Sequence, residues 1–172
     1  MARYIISIII PVLNEATIIK QTLGQLTQYS EIEIIVVDGG SQDDTVTIAK
    51  SSVKVITVSG KNRAGQMNAG ANLAQSDILL FLHADTQLPA NFIELVSKTL
   101  NQNQIIAGAF ELAIDGSGIP LRGIEILVKV RSRLLSLPYG DQALFISKQA
   151  FIKAGGFADL PIMEDFEFIQ RV

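Results

Sequence analysis

Four short apolar runs in this 172-residue chain each end in polar or charged residues. The run Ile78–Leu82 stops at His83-Ala84-Asp85, and the run before it, Val53–Val58, leads to Gly60-Lys61-Asn62-Arg63. Ile32–Val37 is followed by Asp38-Gly39-Gly40-Ser41-Gln42-Asp43-Asp44-Thr45, and the first run, Tyr4–Ile10, by Pro11-Val12-Leu13-Asn14-Glu15. Carboxylates of this kind are hard oxygen donors. They suit Mg²⁺ or Mn²⁺, which commonly takes one or two carboxylates and completes its shell with substrate phosphates. Asp85, at the tip of a buried run, suits that task. The chain has one histidine and no cysteine, which excludes multi-histidine metal sites, thiolate catalysis and disulfides within it. It also lacks a G-x-x-x-x-G-K-[ST] loop, a G-x-G-x-x-G after the first run and a G-x-S-x-G elbow. Without a backbone phosphate cradle, a diphosphate bound here would need a metal to neutralise it.

These residues need elements to position them. The pattern predicts strands over Tyr4–Ile10, Ile32–Val37, Val53–Val58 and Ile78–Leu82. Helical spacing covers Thr17–Gln28, Asp43–Lys50, Ala64–Ala74 and Ala90–Leu100. Strands apolar on both faces and separated by helices imply a parallel sheet covered on both sides, a three-layer α/β domain. In such a sheet ligands bind beyond the carboxyl ends of the strands, where the four polar endings collect. Further on, Ile106–Ile114 reads as a strand, residues 115–118 as a turn, and Leu121–Leu137 as a helix. Ala143–Ser147 reads as a last strand, and the terminal PIMEDFEFIQRV as the opening of a helix with no stop signal. A single domain that continues beyond Val172 is the expectation.

Each ending also has a purely local reading. Asn14 could cap the following helix. Ser41 and Asp44 fit a capping box, Asp38 and Asp85 could be turn residues, and Lys61 and Arg63 a solvated helix start.

The stretches SIIIPVLNEA, IIVVDGGSQDDT, RAGQMNAGA, ILLFLHADT and IMEDFEF follow the order and approximate spacing of family 2 glycosyltransferases with the GT-A fold. YGDQALF before GGF resembles a bacterial subgroup of small soluble members. The resemblance covers nearly the whole chain. It implies a three-layer α/β/α domain with a mostly parallel central sheet. It further implies inverting transfer of a sugar from a nucleoside-diphosphate donor, with a UDP-sugar favoured, to an acceptor hydroxyl. By the same resemblance Pro11, Asn14 and Glu15 lie beside the nucleotide, Asp38 bonds the base and Gly40 forms the adjoining turn. Arg63 and segment 65–70, with Gln66 and Asn68, flank the nucleotide and diphosphate. His83 and Ala84 complete the D-x-D position, and Asp85 is its metal-binding carboxylate, for Mn²⁺ or Mg²⁺. The Glu164-Asp165 pair matches the family's acceptor-side ED, with Asp165 implied as general base; Glu164 reads either as an acceptor-positioning residue or as an acidic residue favoured in a helix's first turn.

The chain departs from the family pattern at two places. Gly39 stands where a second acidic residue is usual, and His83 where D-x-D begins. Neutral imidazole supplies no negative charge, so metal affinity without nucleotide should be weak. His83 could instead be structural.

Formal net charge is −3, with 48% hydrophobic and 18% charged residues, and the pI is near 5.1. That balance is globular and offers no basic footprint for nucleic acid. No apolar stretch reaches the length of a membrane span, and the composition suits a cytoplasmic protein. Residues 121–137 alternate apolar positions with Arg122, Lys129, Arg131 and Arg133. They read either as a surface helix or as an interfacial one touching the inner face of a membrane, which a lipid-linked acceptor would favour. A homodimer is compatible with the sequence. Two rival functions stay open: a nucleotidyltransferase, and a non-catalytic nucleotide-sugar-binding protein.

Overall fold

The computed structural model describes residues 4–58, 62–102, 105–110 and 143–172. Its strands are β1 (Ile6–Val12), β2 (Ile32–Asp38), β3 (Lys54–Thr57), β4 (Ile78–Phe81), β5 (Ala107–Ala109) and β6 (Leu144–Ser147). Its helices are α1 (Ile19–Leu26), α2 (Thr45–Lys50), α3 (Arg63–Leu73), α4 (Phe92–Leu100), α5 (Lys148–Lys153) and α6 (Glu164–Arg171). The strands form one sheet in the order β3-β2-β1-β4-β6-β5. β1 runs parallel to β2 and β4, and β2 parallel to β3. β6 is antiparallel to both β4 and β5. The sheet is thus mostly parallel, as expected, with an antiparallel edge that periodicity alone does not reveal.

Successive strand residues point to opposite faces, so a strand covered on both sides feeds two cores. Ile6, Ile8, Ile10 and Val12 of β1 pack with Ile19 and Leu23 of α1, Ala49 of α2, and Phe92 and Val96 of α4. Ile9 packs on the other face with Ala64, Met67 and Ala71 of α3, Phe151 of α5 and Phe168 of α6. One helical layer is therefore α1, α2 and α4; the other is α3, α5 and α6.

β1 begins at Ile6 and continues through Pro11 to Val12, later at both ends than periodicity predicts. Pairing with β4 stops at Ile9–Phe81, so beyond that point β1 has β2 as its neighbour. A proline, which lacks an N–H, is tolerated where the ladder has thinned.

A buried polar pair fixes the entry to β4. The Ser7 hydroxyl donates to Glu33 Oε2 at 2.6 Å. The same oxygen accepts from the Gln75 N–H at 2.8 Å, and Ser7 Oγ from the Ser76 N–H at 3.1 Å. A buried carboxylate satisfied this way is tolerable, and it ties the α3–β4 turn to β1 and β2. On the same face, Phe81 of β4 stacks edge-on against Phe157 at 4.9 Å, and Phe157 meets Phe168 of α6 at 4.8 Å. This aromatic chain seats α6 against the strand that leads to Asp85.

One expectation is corrected, and others fall outside the described residues. The Ser41–Asp44 capping box does not form: Asp44 makes no side-chain cap to α2. Most of the predicted Ile106–Ile114 strand, the 115–118 turn and the 121–137 helix lie outside the described residues. Among the described residues, no helix is long and apolar enough to cross a membrane.

Gly70 in α3 lies against the sheet, where an added Cβ would come within 2.5 Å of Ile9 Cγ2 and 3.0 Å of Val37 Cγ2. Gly70→Val is expected to cost about 2–3 kcal/mol by overpacking, read as a lower midpoint in urea unfolding. An unchanged midpoint would mean that α3 sits further from the sheet.

Candidate active site

β2 ends in Asp38, which is buried at 1% exposure. Its carboxylate accepts from the Gly40 N–H at 3.0 Å and the Ser41 N–H at 3.0 Å, closing an Asx-type turn. Gly40 has φ 106°, a conformation that favours glycine. Gly39 packs on the side chain of Gln66: a Cβ there would meet Gln66 Nε2 at 3.1 Å. A Cβ at Gly39 would press the Gln66 side chain aside by a few tenths of an ångström. Gln66 Nε2 itself donates to Val12 O at 2.9 Å and Val37 O at 2.8 Å, bridging the ends of β1 and β2.

The loop after β1 is laced to the loop after β2. Asn14 takes a left-handed backbone (φ 57°), which asparagine tolerates well. Its N–H donates to Ser41 Oγ and its Oδ1 accepts from the Gln42 N–H, each at 2.8 Å. It does not cap α1, whose N-cap is Ile18. Thr45 Oγ1 accepts from the Glu15 N–H at 2.7 Å and donates to Asp43 Oδ1 at 2.5 Å. That hydroxyl, with the N–H groups of Thr45 and Ala16, holds the Asp43 carboxyl below its ordinary range. Pro11 and Glu15 flank this lacing on the β1 side.

α3 opens beside the loop after β4. Asn62 caps α3 by accepting from the Gly65 N–H at 2.9 Å, and its Nδ2 donates to Asp159 Oδ1 at 2.7 Å and Leu160 O at 2.9 Å. Asn68 clasps the backbone of Phe157 from both sides, at 2.8 and 3.0 Å. Its amide is therefore turned towards the segment leading to α6. Arg63 donates from Nε to Glu164 Oε1 and from Nη1 to His83 Nε2, the latter at 3.2 Å. Arginine only donates, so Nε2 is the acceptor of this contact. Nε2 is thereby committed to Arg63.

Ala84 is buried, and its carbonyl accepts from the Thr22 hydroxyl of α1. Asp85 stands beyond, exposed, with the Thr86 hydroxyl at 3.4 Å as its hydrogen-bond partner among the described residues. β4 itself ends at Phe81, so Asp85 sits on a short loop pinned by Thr22, not on the strand tip. A cleft of about 170 Å³ opens beside it between α1 and residues 86–92. Two of its hydroxyls are already committed: Thr22 to Ala84 O, and Tyr29 to Ala90 O at 3.2 Å.

No group of three or more His, Cys, Asp or Glu side chains that could hold a metal occurs among the described residues. The donor set is one solvent-facing carboxylate. It fits a hard cation that arrives with phosphate oxygens, and does not fit a dedicated protein cage. Asp165 opens α6, 5% exposed, with Oδ1 accepting from the Phe166 N–H at 2.8 Å. Lys61 and Gly60 lie outside the described residues. Thr22 and Asn62 have structural tasks that the motifs do not announce. The only hint for Thr22 is a hydroxyl on the apolar face of an amphipathic helix.

A mostly parallel, three-layer sheet with this rim is the GT-A architecture, and solved structures bear that out. Staphylococcus aureus TarS, in complex with UDP-GlcNAc, superposes with a TM-score of 0.78 at 18% identity, covering 97% of this chain and 52% of that one. Mycobacterium tuberculosis glucosyl-3-phosphoglycerate synthase, with Mn²⁺, UDP and glucosyl-3-phosphoglycerate, gives a TM-score of 0.61 at 21% identity over 85% of this chain and 57% of that one. The glycosyl transferase family 2 profile matches residues 7–158, and the chain belongs to that family. An uncharacterised glycosyltransferase of Rickettsia conorii is 32% identical over 95% of this chain, which spans 30% of that relative's length.

Gln66→Leu removes the donor shared by Val12 O and Val37 O while keeping most of the volume. Val12 O keeps the Gly39 N–H at 2.9 Å, so the change should cost about 0.5–1.5 kcal/mol per lost hydrogen bond, measured by urea unfolding. Full stability would show that the bridge between β1 and β2 is dispensable.

Proposed function

We propose that this domain transfers a sugar from a nucleoside-diphosphate donor, a UDP-sugar in the first instance, to an acceptor hydroxyl with inversion at the anomeric carbon. The observation that carries the reading is the family match over residues 7–158; within it Asp38 ends β2, His83 and Asp85 follow β4, and Arg63 opens α3. The UDP and UDP-GlcNAc complexes of fold neighbours support the donor class, and the Mn²⁺ in one of them supports a divalent cation.

In this reading Asp38, with the turn at Gly40, meets the base, and Pro11, Asn14 and Glu15 line its approach. Arg63 faces the diphosphate. Asp85 would hold Mn²⁺ or Mg²⁺, and a cation bound there would neutralise charge on the leaving diphosphate. Asp165 takes the proton of the acceptor hydroxyl as its oxygen bonds the anomeric carbon and the carbon–phosphate-oxygen bond breaks. General-base assistance of this type contributes roughly 10²–10⁴-fold. The acceptor is a hydroxyl compound, for which a lipid-linked molecule would suit a domain working at the inner face of a membrane. Cytoplasmic location follows from the donor, since nucleotide sugars are made there.

Two variants test the assignment. Asp85→Ala should lose the extra thermal stabilisation that Mn²⁺ adds to UDP, because ligand stabilisation follows affinity for the folded state. A variant that keeps the full Mn²⁺ increment would remove Asp85 from the metal site. Asp165→Asn should bind UDP normally and lose at least about 10²-fold in kcat, followed by UDP release. Undiminished turnover would give the base role to another residue.

A further inference from the structure

Glu164 is 1% exposed, at the first position of α6, and pairs with an arginine 101 positions earlier in the chain. The Arg63 side chain is 39% exposed, so one partner of the pair is buried and the other reaches the rim. A buried carboxylate is costly unless a cation stays with it. The backbone is bent to place it: Met163, just before, is left-handed at φ 62°, a conformation that methionine adopts only where its surroundings over-determine it. Two further ties hold the same segment to α3, from Asn62 to Asp159 and Leu160 and from Asn68 to Phe157. The α6 approach is thus bound to the N-terminal half of α3, and Glu164 completes the junction.

The pair takes Arg63 Nε, and His83 takes Nη1. A guanidinium has five N–H donors in a fixed plane. With Nε held by Glu164 and Nη1 by His83, its plane and rotamer are set, and the remaining N–H donors on Nη1 and Nη2 present a preformed fork for a diphosphate. We propose that Glu164 is a positioning residue for the donor, acting through Arg63, and does not act on the acceptor. The inference rests on the nucleotide-sugar reading above. It gives the two acidic neighbours on α6 separate tasks: Asp165 faces the chemistry, while Glu164 orients the donor-side arginine. Donor recognition and the helix bearing the base therefore share one ion pair.

The test is UDP binding by calorimetry, with donor and acceptor KM measured alongside. Glu164→Gln keeps the shape and an acceptor for Arg63 but removes the charge. It does not strand a buried ion, so it should fold. It is expected to weaken UDP binding by at least about fivefold, the lower end of typical coupling between linked groups. Acceptor KM should stay as in the parent protein. Arg63→Lys keeps the positive charge and loses the planar fork, so it should weaken UDP binding to a similar degree. Combining the two changes should add little to either alone, since residues acting as a unit are non-additive. Unchanged UDP affinity in Glu164→Gln, with a raised acceptor KM, would overturn the proposal and return Glu164 to the acceptor side. Full UDP affinity in Arg63→Lys would also overturn it, because a point charge would then suffice. If the parent protein fails to bind UDP or any other nucleoside diphosphate, the nucleotide-sugar reading falls and takes this proposal with it.

Discussion

The position of β1 governs the rest of the molecule. It lies inside the sheet, buried on both faces, with parallel neighbours on both sides. Parallel neighbours must be joined by crossovers that return each chain to the same starting edge. The carboxyl ends of β2, β1 and β4 consequently open on one rim. Apolar side chains alternate into two cores below it, and polar residues have only the rim to occupy. Asp38, Asn14 and Asp85 each lie at or just beyond one of these carboxyl ends for that reason, despite lying tens of residues apart in sequence.

A second set of contacts joins this rim to α6. The stack of Phe81, Phe157 and Phe168 seats the helix on the sheet through apolar contact. Asn62, Asn68 and Arg63, all in or at the start of α3, reach to residues 157–164 with directional polar contacts. Aromatic packing supplies the burial, and the hydrogen bonds choose one registration of α6 out of the many that packing alone would allow. In this way a carboxylate more than 70 positions beyond Asp85 is brought to the same region of the fold. The buried Ser7–Glu33 pair has a comparable role at the opposite edge, where it sets the turn into β4.

Much of this was legible in the chain itself. Runs apolar on both faces read directly as buried parallel strands, since Ile32–Val37 has no other way to satisfy its side chains. The rim followed, because the first polar residue after each run had to lie at a carboxyl end. What could not be read was pairing across long separations. Nothing in Glu164 announces Arg63, and nothing in Asn68 announces the Phe157 backbone. The antiparallel direction of β6 also escaped, because an apolar strand looks the same in either orientation. Local capping rules misplaced Ser41 and Asn14. Both could serve a helix, but the adjacent loop offered N–H groups at better geometry. Gln66 bridges two backbone carbonyls and Asn68 clasps a neighbouring segment, partners that no motif announces.

In the proposed function a donor diphosphate and a divalent cation meet at the rim, on Asp85. An anomalous-difference map from crystals containing UDP and Mn²⁺ tests it directly. The expected map has a manganese peak bound jointly by the Asp85 carboxylate and the diphosphate, with uracil beside Asp38. Ordered UDP and manganese elsewhere on the protein, with the ends of β1, β2 and β4 vacant, would contradict it.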